Sequence, residues 1–349
     1  MTSARATPAD RTPNAERRTP GAAGPPGTSR ASAVKRAAAQ LGFDAAGICD
    51  LRPIERTALL DWLDRGYAGT MRYMHRQAAK RQEPARIALG STHAVVVLKS
   101  YYTGDSPPAG GGGRVARYAW GEDYHAVLGE RLAALAETLV ELGASAAATR
   151  WYVDAGPVPE RELAQRAGLG WMAKNTMLIH PRLGSFTFIG SILTDLELAV
   201  DAPFSADHCG TCQACLEVCP TEAFPAPRTL DASRCISYLT IEHRVPFTPE
   251  QGRMIGDWLF GCDLCQDVCP WNGKLALPTD EPCFSPQPHT ATPSLADLTA
   301  LDAEEFDRRY RHTAFARAGV AGMARNAAQV RANRSDRREV PRSGPEKSE

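Results

Sequence analysis

The sequence predicts three folded parts: an α/β (or α+β) domain, a small cysteine-rich domain and a short α-helical segment. Strand-like runs and amphipathic helices alternate in the first part, which favours an α/β architecture. Eight of the ten cysteines lie between Cys209 and Cys269. Helical spacing returns after a proline-rich linker. The predicted boundaries, with disordered tails at both ends, are 1–30, 31–200, 201–275, 290–330 and 331–349.

The composition is that of a globular protein with balanced charge. Among 349 residues, 40 Lys and Arg balance 40 Asp and Glu, and hydrophobic residues make up 43%. No uninterrupted apolar run approaches the ~18 residues needed to cross a bilayer, so we expect no membrane partner. Arg17 and Arg18 are followed by no apolar segment, which argues against an export signal. We therefore expect a cytoplasmic protein whose cysteines stay reduced.

Hydrophobic periodicity predicts the elements of the first domain. A helix over residues 33–41 should end at Gly42, a favourable C-cap. The β-branched run 94–98 is typical of a strand buried on both faces. The strongest helix is expected over 125–143, where one stripe is formed by Leu128, Leu132, Leu135, Leu139 and Leu142. The other predicted elements are strands 43–49 and 150–154, helices 59–66 and 160–167, and a hairpin of 186–193 with 196–200.

The cysteine-rich segment contains two runs with a single cysteine between them. The first run has the spacing C-x2-C-x2-C-x3-C-P and is formed by Cys209, Cys212, Cys215 and Cys219. The second run lacks an early cysteine and consists of Cys262, Cys265 and Cys269 followed by Pro270. Cys235 lies between the runs and can supply the missing ligand. Thiolates at these intervals are the ligands of two 4Fe–4S clusters in a ferredoxin-like fold.

In two-cluster folds the last cysteine of each run binds the other cluster. One cluster is therefore predicted to be held by Cys209, Cys212, Cys215 and Cys269. The second is predicted to be held by Cys219, Cys235, Cys262 and Cys265. A zinc ribbon is the alternative, because C-x2-C pairs also bind zinc. Eight thiolates, the x3 spacing and a proline after each run favour iron–sulfur.

The domain before the clusters is larger than electron transfer requires. A ferredoxin-type electron carrier is the simplest alternative for the whole chain, but it leaves residues 31–200 without a role. Three polar, glycine-containing stretches of that domain are candidates for a reaction site: 117–125, 154–161 and 168–176.

These stretches resemble those of epoxyqueuosine reductases. The motifs are R-Y-A-x-G-x-D-Y-H, D-x-G-P-x-x-E-R and A-G-L-G-W-x-x-K-N-T, followed by C-I-S-Y-L-T-I-E-H and G-C-D-x-C-Q-x-V-C-P-W-N. The resemblance covers about residues 32–330. It implies an oxidoreductase with a cobalamin-binding catalytic domain and two 4Fe–4S clusters. Such an enzyme reduces epoxyqueuosine in tRNA to queuosine, the last step of queuosine biosynthesis.

The resemblance also implies roles for individual residues. Asp154 matches the catalytic acid of the family, and we expect burial at its strand end to raise its pKa. His125 would assist protonation or orient the substrate. The candidate cobalamin contacts are Arg117, Asp154, Lys174, Asn175, Ser237, Cys262 and Asp263. The chain does not contain the cobalt-ligating pattern D-x-H-x-x-G. Asp123 and His125 match its start, but the glycine, Gly129, comes one position too late. This agrees with a cobalamin that has no histidine ligand.

A tRNA substrate requires a positive surface even on a neutral protein. The candidates are Arg72, Arg76, Lys80, Arg81, His243, Arg244, Arg308, Arg309, Arg311 and Arg325. Residues 313–327 resemble the start of the HEAT-like helical end of family members. We further expect a monomer and an external electron donor of the flavodoxin or ferredoxin type. A reductive dehalogenase-like reductase is the remaining alternative, although such enzymes normally carry an export signal.

Overall fold

The structure is a computed structural model that describes residues 26–55, 57–104 and 112–339. Its strands are β1 (Ala45–Asp50), β2 (His93–Ser100), β3 (Arg114–Val115), β4 (Arg150–Val153), β5 (Trp171–Met172), β6 (Leu178–Ile179), β7 (Thr187–Thr194) and β8 (Trp258–Phe260). The helices before the cysteine-rich segment are α1 (Pro26–Gln40), α2 (Thr57–Asp64), α3 (Arg72–Arg76), α4 (Ala78–Gln82), α5 (Tyr124–Glu141) and α6 (Glu160–Arg166).

Short helices dominate the second half of the chain. They are α7 (Ala214–Glu217), α8 (Ile236–Ile241), α9 (Pro249–Met254), α10 (Leu264–Asp267), α11 (Pro270–Leu275), α12 (Pro288–Ala291), α13 (Leu295–Ala300) and α14 (Ala303–Tyr310), followed by the long α15 (Gly319–Glu339). Ser294 caps α13 as its hydroxyl accepts from the Asp297 amide at 3.2 Å. None of the helices in the described ranges is long and apolar enough to cross a membrane.

A four-stranded sheet in the order β1-β2-β7-β4 forms the centre of the first domain. All three pairings are antiparallel, so the architecture is the α+β form of the predicted class. The run 94–98 lies in β2 and is fully buried, which confirms the prediction of a strand covered on both faces. Helices α1 and α5 cover one face, and α6 covers the other.

Close packing of α5 on the sheet depends on a glycine in β7. Leu128, Leu132, Leu135 and Leu139 of the predicted stripe are completely buried. A Cβ at Gly190 would lie 2.9 Å from a methyl carbon of Leu132, a distance that real Cβ contacts do not reach. The leucine stripe therefore approaches the backbone of β7 directly, as expected where glycine permits close contact.

The predicted hairpin of 186–193 with 196–200 is wrong, because only its first strand forms. β7 is an inner strand that already pairs with β2 on one side and β4 on the other, so it has no free edge for a following strand. The chain after β7 packs Leu196 and Leu198 into the core. It then crosses to β1, where the Ile48 amide donates to the Asp201 carboxylate at 2.8 Å.

Both outer boundaries of the folded part differ from the prediction. α1 begins at Pro26, and α15 continues to Glu339 instead of ending at residue 330. The C-terminal extension is held because the Asn333 amide donates to the carbonyls of Gly252 and Gly256 at 2.9 and 2.8 Å. The remaining tail predictions, 1–25 and 340–349, lie outside the described residues.

The C-terminal helices and the cysteine-rich segment share a core with the first domain. β8 pairs in parallel with β3, and α15 packs on β8, α8 and α13. The side-chain amide of Asn326, buried in α15, donates to the carbonyls of Thr240 and Leu259 at 2.7 and 2.9 Å. The cysteine-rich segment thus contacts the first domain through β3 and the C-terminal helices through α15.

Candidate active site

The first predicted group of cysteine thiols is assembled in the structure. Burial raises the pKa of the Cys215 thiol, and so do three neighbouring thiolates. These are Cys209, Cys269 and Cys212. Burial likewise raises the pKa of Cys269, although backbone N–H groups of Trp271 and Asn272 point at its sulfur and lower it. Cys269 therefore lies with the first run, despite its place in the second.

The second predicted group is assembled around the isolated cysteine. Burial raises the pKa of Cys262, and the thiolates of Cys235 and Cys219 raise it further. Cys235 directly precedes α8, where Ser237 and Tyr238 donate backbone N–H groups to its sulfur. The Ala223 amide lies 3.4 Å from the sulfur of Cys219. Such donors favour the thiolate that binds iron.

The spacing of the eight thiols is that of two clusters. Among the described residues, no group of three or more His, Cys, Asp or Glu lies close enough to hold a single metal ion. In a 4Fe–4S cluster each thiolate binds a different iron atom, so its four ligands lie farther apart than ligands of one ion. The division of the eight thiols into two ligand sets, with the last cysteines exchanged, stays a prediction.

One loop of the first domain holds both cysteine groups. The Lys174 ammonium donates to the carbonyls of Gly210 and Cys212 at 2.7 and 2.8 Å. The next side chain, the buried Asn175, donates to the Cys265 carbonyl at 3.0 Å. Both were predicted as cobalamin contacts, but in the structure both side chains bind the backbone of the cluster loops.

We expect Asn175→Ala to weaken cluster retention. The change leaves the Cys265 carbonyl without its donor in a buried position, which typically costs about 1–3 kcal/mol. The anaerobic protein should lose iron to a chelator faster and unfold at a lower temperature than the unaltered chain. Gln40→Ala, at the exposed end of α1, is the control. Equal iron-loss rates in both variants would contradict this role.

Arg117 connects the first domain to the second cysteine run. Its backbone N–H donates to the Asp263 carboxylate at 2.7 Å, and its guanidinium pairs with Asp263 and Asp267. Asp263 is almost completely buried, and burial raises its pKa to about 6 even though the Arg117 amide and charge lower it. In the described part of the chain, the buried Nε of Arg117 has no hydrogen-bond partner.

Asp154 lies at the protein surface. The expected burial is wrong: β4 is an edge strand with two exposed residues, and Asp154 itself is exposed. The Tyr124 hydroxyl donates to the Asp154 carboxylate at 2.5 Å. The backbone of Asp154 has a φ of 45°, a left-handed conformation that is uncommon outside glycine. Its carboxyl group is therefore both oriented and accessible.

His125 lies beside the same carboxylate. Its Nδ1 is 2.7 Å from the Asp123 carboxylate, and its ring stacks on that of Tyr124 with centroids 4.2 Å apart. Burial lowers the pKa of His125, but the hydrogen bond and charge of Asp123 outweigh it, and the net pKa is raised. The Asp123 and Asp154 carboxylates thus favour the cationic form of His125.

Several site residues were not predicted as such. Burial raises the pKa of Tyr118, and the carboxylates of Asp154, Asp263 and Glu242 add to the effect. Arg317 forms a two-point ion pair with Glu242 at 2.7 and 3.1 Å. Tyr118, Tyr124, Glu160 and Glu242 all belong to the recognised motifs, whereas no local pattern marks Arg317.

The predicted basic surface is only partly available. Arg325 donates to the carbonyls of Leu239, His243 and Val245, and Arg244 donates to those of Arg317 and Ala318. His243 is buried. Two arginines of α14 and the arginine that follows it form ion pairs with acidic residues of the same helix. These pairs are Arg308–Glu305, Arg309–Glu305 and Arg311–Asp307. Arg72, Arg76 and Lys80 of α3 and α4 are exposed, and Arg81 of α4 contacts the turn after Asp154.

Comparison with known families agrees with this geometry. Residues 208–272 match the family described as 4Fe-4S double cluster binding domain, so the cysteine-rich segment binds two 4Fe–4S clusters. Residues 81–155 match the family described as Epoxyqueuosine reductase QueG, DUF1730. That segment includes Arg117, His125 and Asp154.

Curated relatives and solved structures match most of the chain. Epoxyqueuosine reductase from Pseudomonas aeruginosa is 40% identical over 87% of this chain and 86% of its own. The one from Xanthomonas campestris is 41% identical over 87% of both chains. A crystal structure of epoxyqueuosine reductase with an epoxyqueuosine-modified tRNA stem loop superposes with a TM-score of 0.79 at 30% identity, covering 86% of this chain and 80% of that one.

A structure of epoxyqueuosine reductase from Bacillus subtilis has its catalytic aspartate loop swung out of the active site. It superposes with a TM-score of 0.77 at 30% identity, covering 87% of this chain and 82% of that one. Identity of this level over nearly the whole length favours an epoxyqueuosine reductase over the alternatives raised by the sequence. These were a zinc ribbon, a ferredoxin-type electron carrier and a reductive dehalogenase-like reductase. The chain belongs to the epoxyqueuosine reductase family.

Proposed function

We propose that this protein reduces epoxyqueuosine in tRNA to queuosine. The observation that carries the proposal is the oriented, exposed carboxyl of Asp154, with a hydrogen bond to Tyr124, in a domain fixed to a double-cluster segment. Removal of an epoxide oxygen as water takes two electrons and two protons. This protein meets both requirements, because the accessible carboxylic acid can supply protons and the double-cluster segment can supply electrons.

Asp154 is proposed as the proton donor to the leaving oxygen. Negative charge develops on that oxygen as its bond to carbon breaks, and a positioned acid lowers the barrier. Tyr124 keeps the carboxyl in one orientation, because its ring is stacked 4.1 Å from Phe188 in the core. His125, held by Asp123, lies close enough to orient the substrate or to assist protonation.

The residues present also fit a cobalamin. Bound cobalamin supplies low-valent cobalt to reduce the epoxide carbon, and the clusters supply single electrons. The Tyr118 ring contacts those of Tyr124 and Phe260, and the buried Nε of Arg117 has no partner in the described ranges. An amide oxygen of the cobalamin periphery would satisfy this donor. Arg117, Ser237 and the segment Gly261–Asp263 are the proposed contacts, with Asp154 facing the reacting centre.

The tRNA is proposed to bind across α3 and α4. Arg72, Arg76 and Lys80 are exposed there, and Arg81 of α4 contacts the turn after Asp154. Phosphate contacts from such a surface position a nucleic acid without reading its sequence. We further infer a cytoplasmic monomer that receives electrons from a flavodoxin- or ferredoxin-type donor.

The proposal is tested with the anaerobically purified protein, cobalamin, a chemical reductant and tRNA that carries epoxyqueuosine. Mass spectrometry of the digested nucleosides should show epoxyqueuosine losing one oxygen atom to give queuosine. Leaving out cobalamin, and separately using iron-depleted protein, provides the controls. Release of halide from a halogenated aromatic compound with no change in the nucleoside would instead favour a reductive dehalogenase-like enzyme and overturn the proposal.

A further inference from the structure

The turn that carries Asp154 is held by side chains from outside it. The turn runs from the end of β4 to the start of α6, over residues 154–159. Asp154 and Gly156 have φ values of 45° and 74°. A non-glycine residue in this region persists only where its surroundings compensate for the strain. The contacts of this turn with the rest of the molecule therefore decide where the Asp154 carboxyl lies.

The first of these contacts is made by Glu160. The Asp154 backbone N–H donates to the Glu160 carboxylate at 2.8 Å. Glu160 is the first residue of α6, whose hydrophobic side packs on the sheet, so its position is set by the core. Burial and the Asp154 charge raise the pKa of Glu160 to about 8, while the Asp154 amide, Arg161 and Arg81 lower it.

The second contact is made by Arg81 from α4. Its two terminal nitrogens donate to the carbonyls of Gly156 and Val158, both at 3.3 Å. Burial lowers the pKa of Arg81, and Glu160 is among the acidic groups that raise it. One planar guanidinium thus spans two carbonyls of the turn, a geometry suited to arginine and not to lysine.

We propose that Glu160 and Arg81 form a latch that holds the Asp154 turn in the catalytic position. Glu160 fixes the amide end of the turn and Arg81 fixes its carbonyls, while Tyr124 orients the carboxyl group itself. Neither latch residue needs to touch the substrate, so both are positioning residues. Their catalytic importance rests on the proposed function, whereas their effect on the turn does not.

Hydrogen exchange of the holoprotein tests the latch without any substrate. In Glu160→Ala the Asp154 amide loses its acceptor, and its exchange should become roughly tenfold faster, the factor that corresponds to one lost hydrogen bond. Arg81→Met should raise exchange in the same turn. Glu162→Ala, at an exposed position of the same helix, is the matched control. Unchanged exchange of residues 154–158 in both latch variants, with native iron content, would overturn the latch.

Kinetics then test the link to catalysis. With epoxyqueuosine-containing tRNA, Glu160→Ala should lower kcat by roughly 10- to 100-fold with KM changed less than about twofold, because the acid is misplaced and substrate binding is not. Glu160→Gln keeps an acceptor oxygen and should recover most of the kcat. Faster exchange without a fall in kcat would refute the positioning role. An inactive unaltered enzyme would refute the proposed function and leave the exchange result standing.

The pH dependence of hydrogen exchange at the Asp154 amide distinguishes the positioning role of Glu160 from a general effect on protein stability. Ionised Glu160 accepts the Asp154 amide more strongly than the neutral acid does, so the latch tightens as pH rises through about 8. The charged groups that face Glu160 are Asp154 on the turn, Arg161 on its own helix and Arg81 on α4. The exchange rate of the Asp154 amide, after correction for intrinsic base catalysis, should fall across this range. Glu160→Gln should abolish that dependence, and its persistence would contradict the assignment.

Discussion

Asp154→Asn is expected to leave iron and cobalamin binding unchanged and to lower kcat with epoxyqueuosine-containing tRNA by at least about 100-fold. Asparagine keeps an oxygen that can accept from Tyr124, but it has no acidic proton for the leaving oxygen. It also tolerates a positive φ better than most residues, so the conformation at 45° is preserved. An Asp154→Ala variant would be harder to interpret, because it would lose the acid and also strain the turn.

The measurement is single-turnover conversion of epoxyqueuosine, followed by mass spectrometry of the nucleosides. Asp64→Asn, at an exposed site on α2, is the control for the same chemical change elsewhere. The iron content and the absorption spectrum of bound cobalamin should match those of the unaltered protein. Turnover within about threefold of the unaltered rate would remove Asp154 from the role of proton donor.

Features that depend on local spacing could be predicted from the sequence. The five-residue run in β2 and the leucine stripe of α5 are buried as expected, because periodicity directly determines which face meets the core. The double-cluster segment could be predicted for the same kind of reason, and residues 208–272 match a double-cluster family. Cluster geometry constrains the intervals between ligands, so the intervals identify the cluster.

Features that depend on distant contacts could not be predicted. The sequence of β4 does not reveal that it lies at the sheet edge, so Asp154 was expected to be buried. Lys174 and Asn175 are polar residues in a glycine-rich loop, and only the fold shows that they bind cluster loops. Arg317 reaches Glu242 across 75 positions of the chain. No motif connects residues that far apart.

Glu160 shows a third situation, in which the motif was recognised but one of its functions was missed. The sequence D-x-G-P-x-x-E-R marks a turn followed by an acidic first helical residue, which is also the ordinary pattern for complementing a helix dipole. The structure adds that this carboxylate accepts the amide of Asp154. A residue with two compatible roles can be assigned only when its contacts are known.

Double cysteine variants are expected to reveal which thiols share a cluster. Removing one ligand should lose one cluster, so Cys219→Ala should retain about four of about eight iron atoms. Cys219→Ala combined with Cys262→Ala should also retain about four, because both residues belong to the second group. Cys219→Ala combined with Cys209→Ala should lose nearly all iron, although these two residues belong to the same sequence run.

Iron per chain and the electron paramagnetic resonance of the reduced protein provide the measurement. Cys283→Ala is the control, because this cysteine lies outside both groups and should keep the full iron content. The physical reason for the non-additive result is that two ligands of one cluster act as a unit, whereas ligands of different clusters act independently. Retention of four iron atoms in the Cys209 and Cys219 double variant would mean that each run binds its own cluster. In that case the placement of Cys269 beside Cys209 and Cys212 would not describe the ligand sets of the loaded protein.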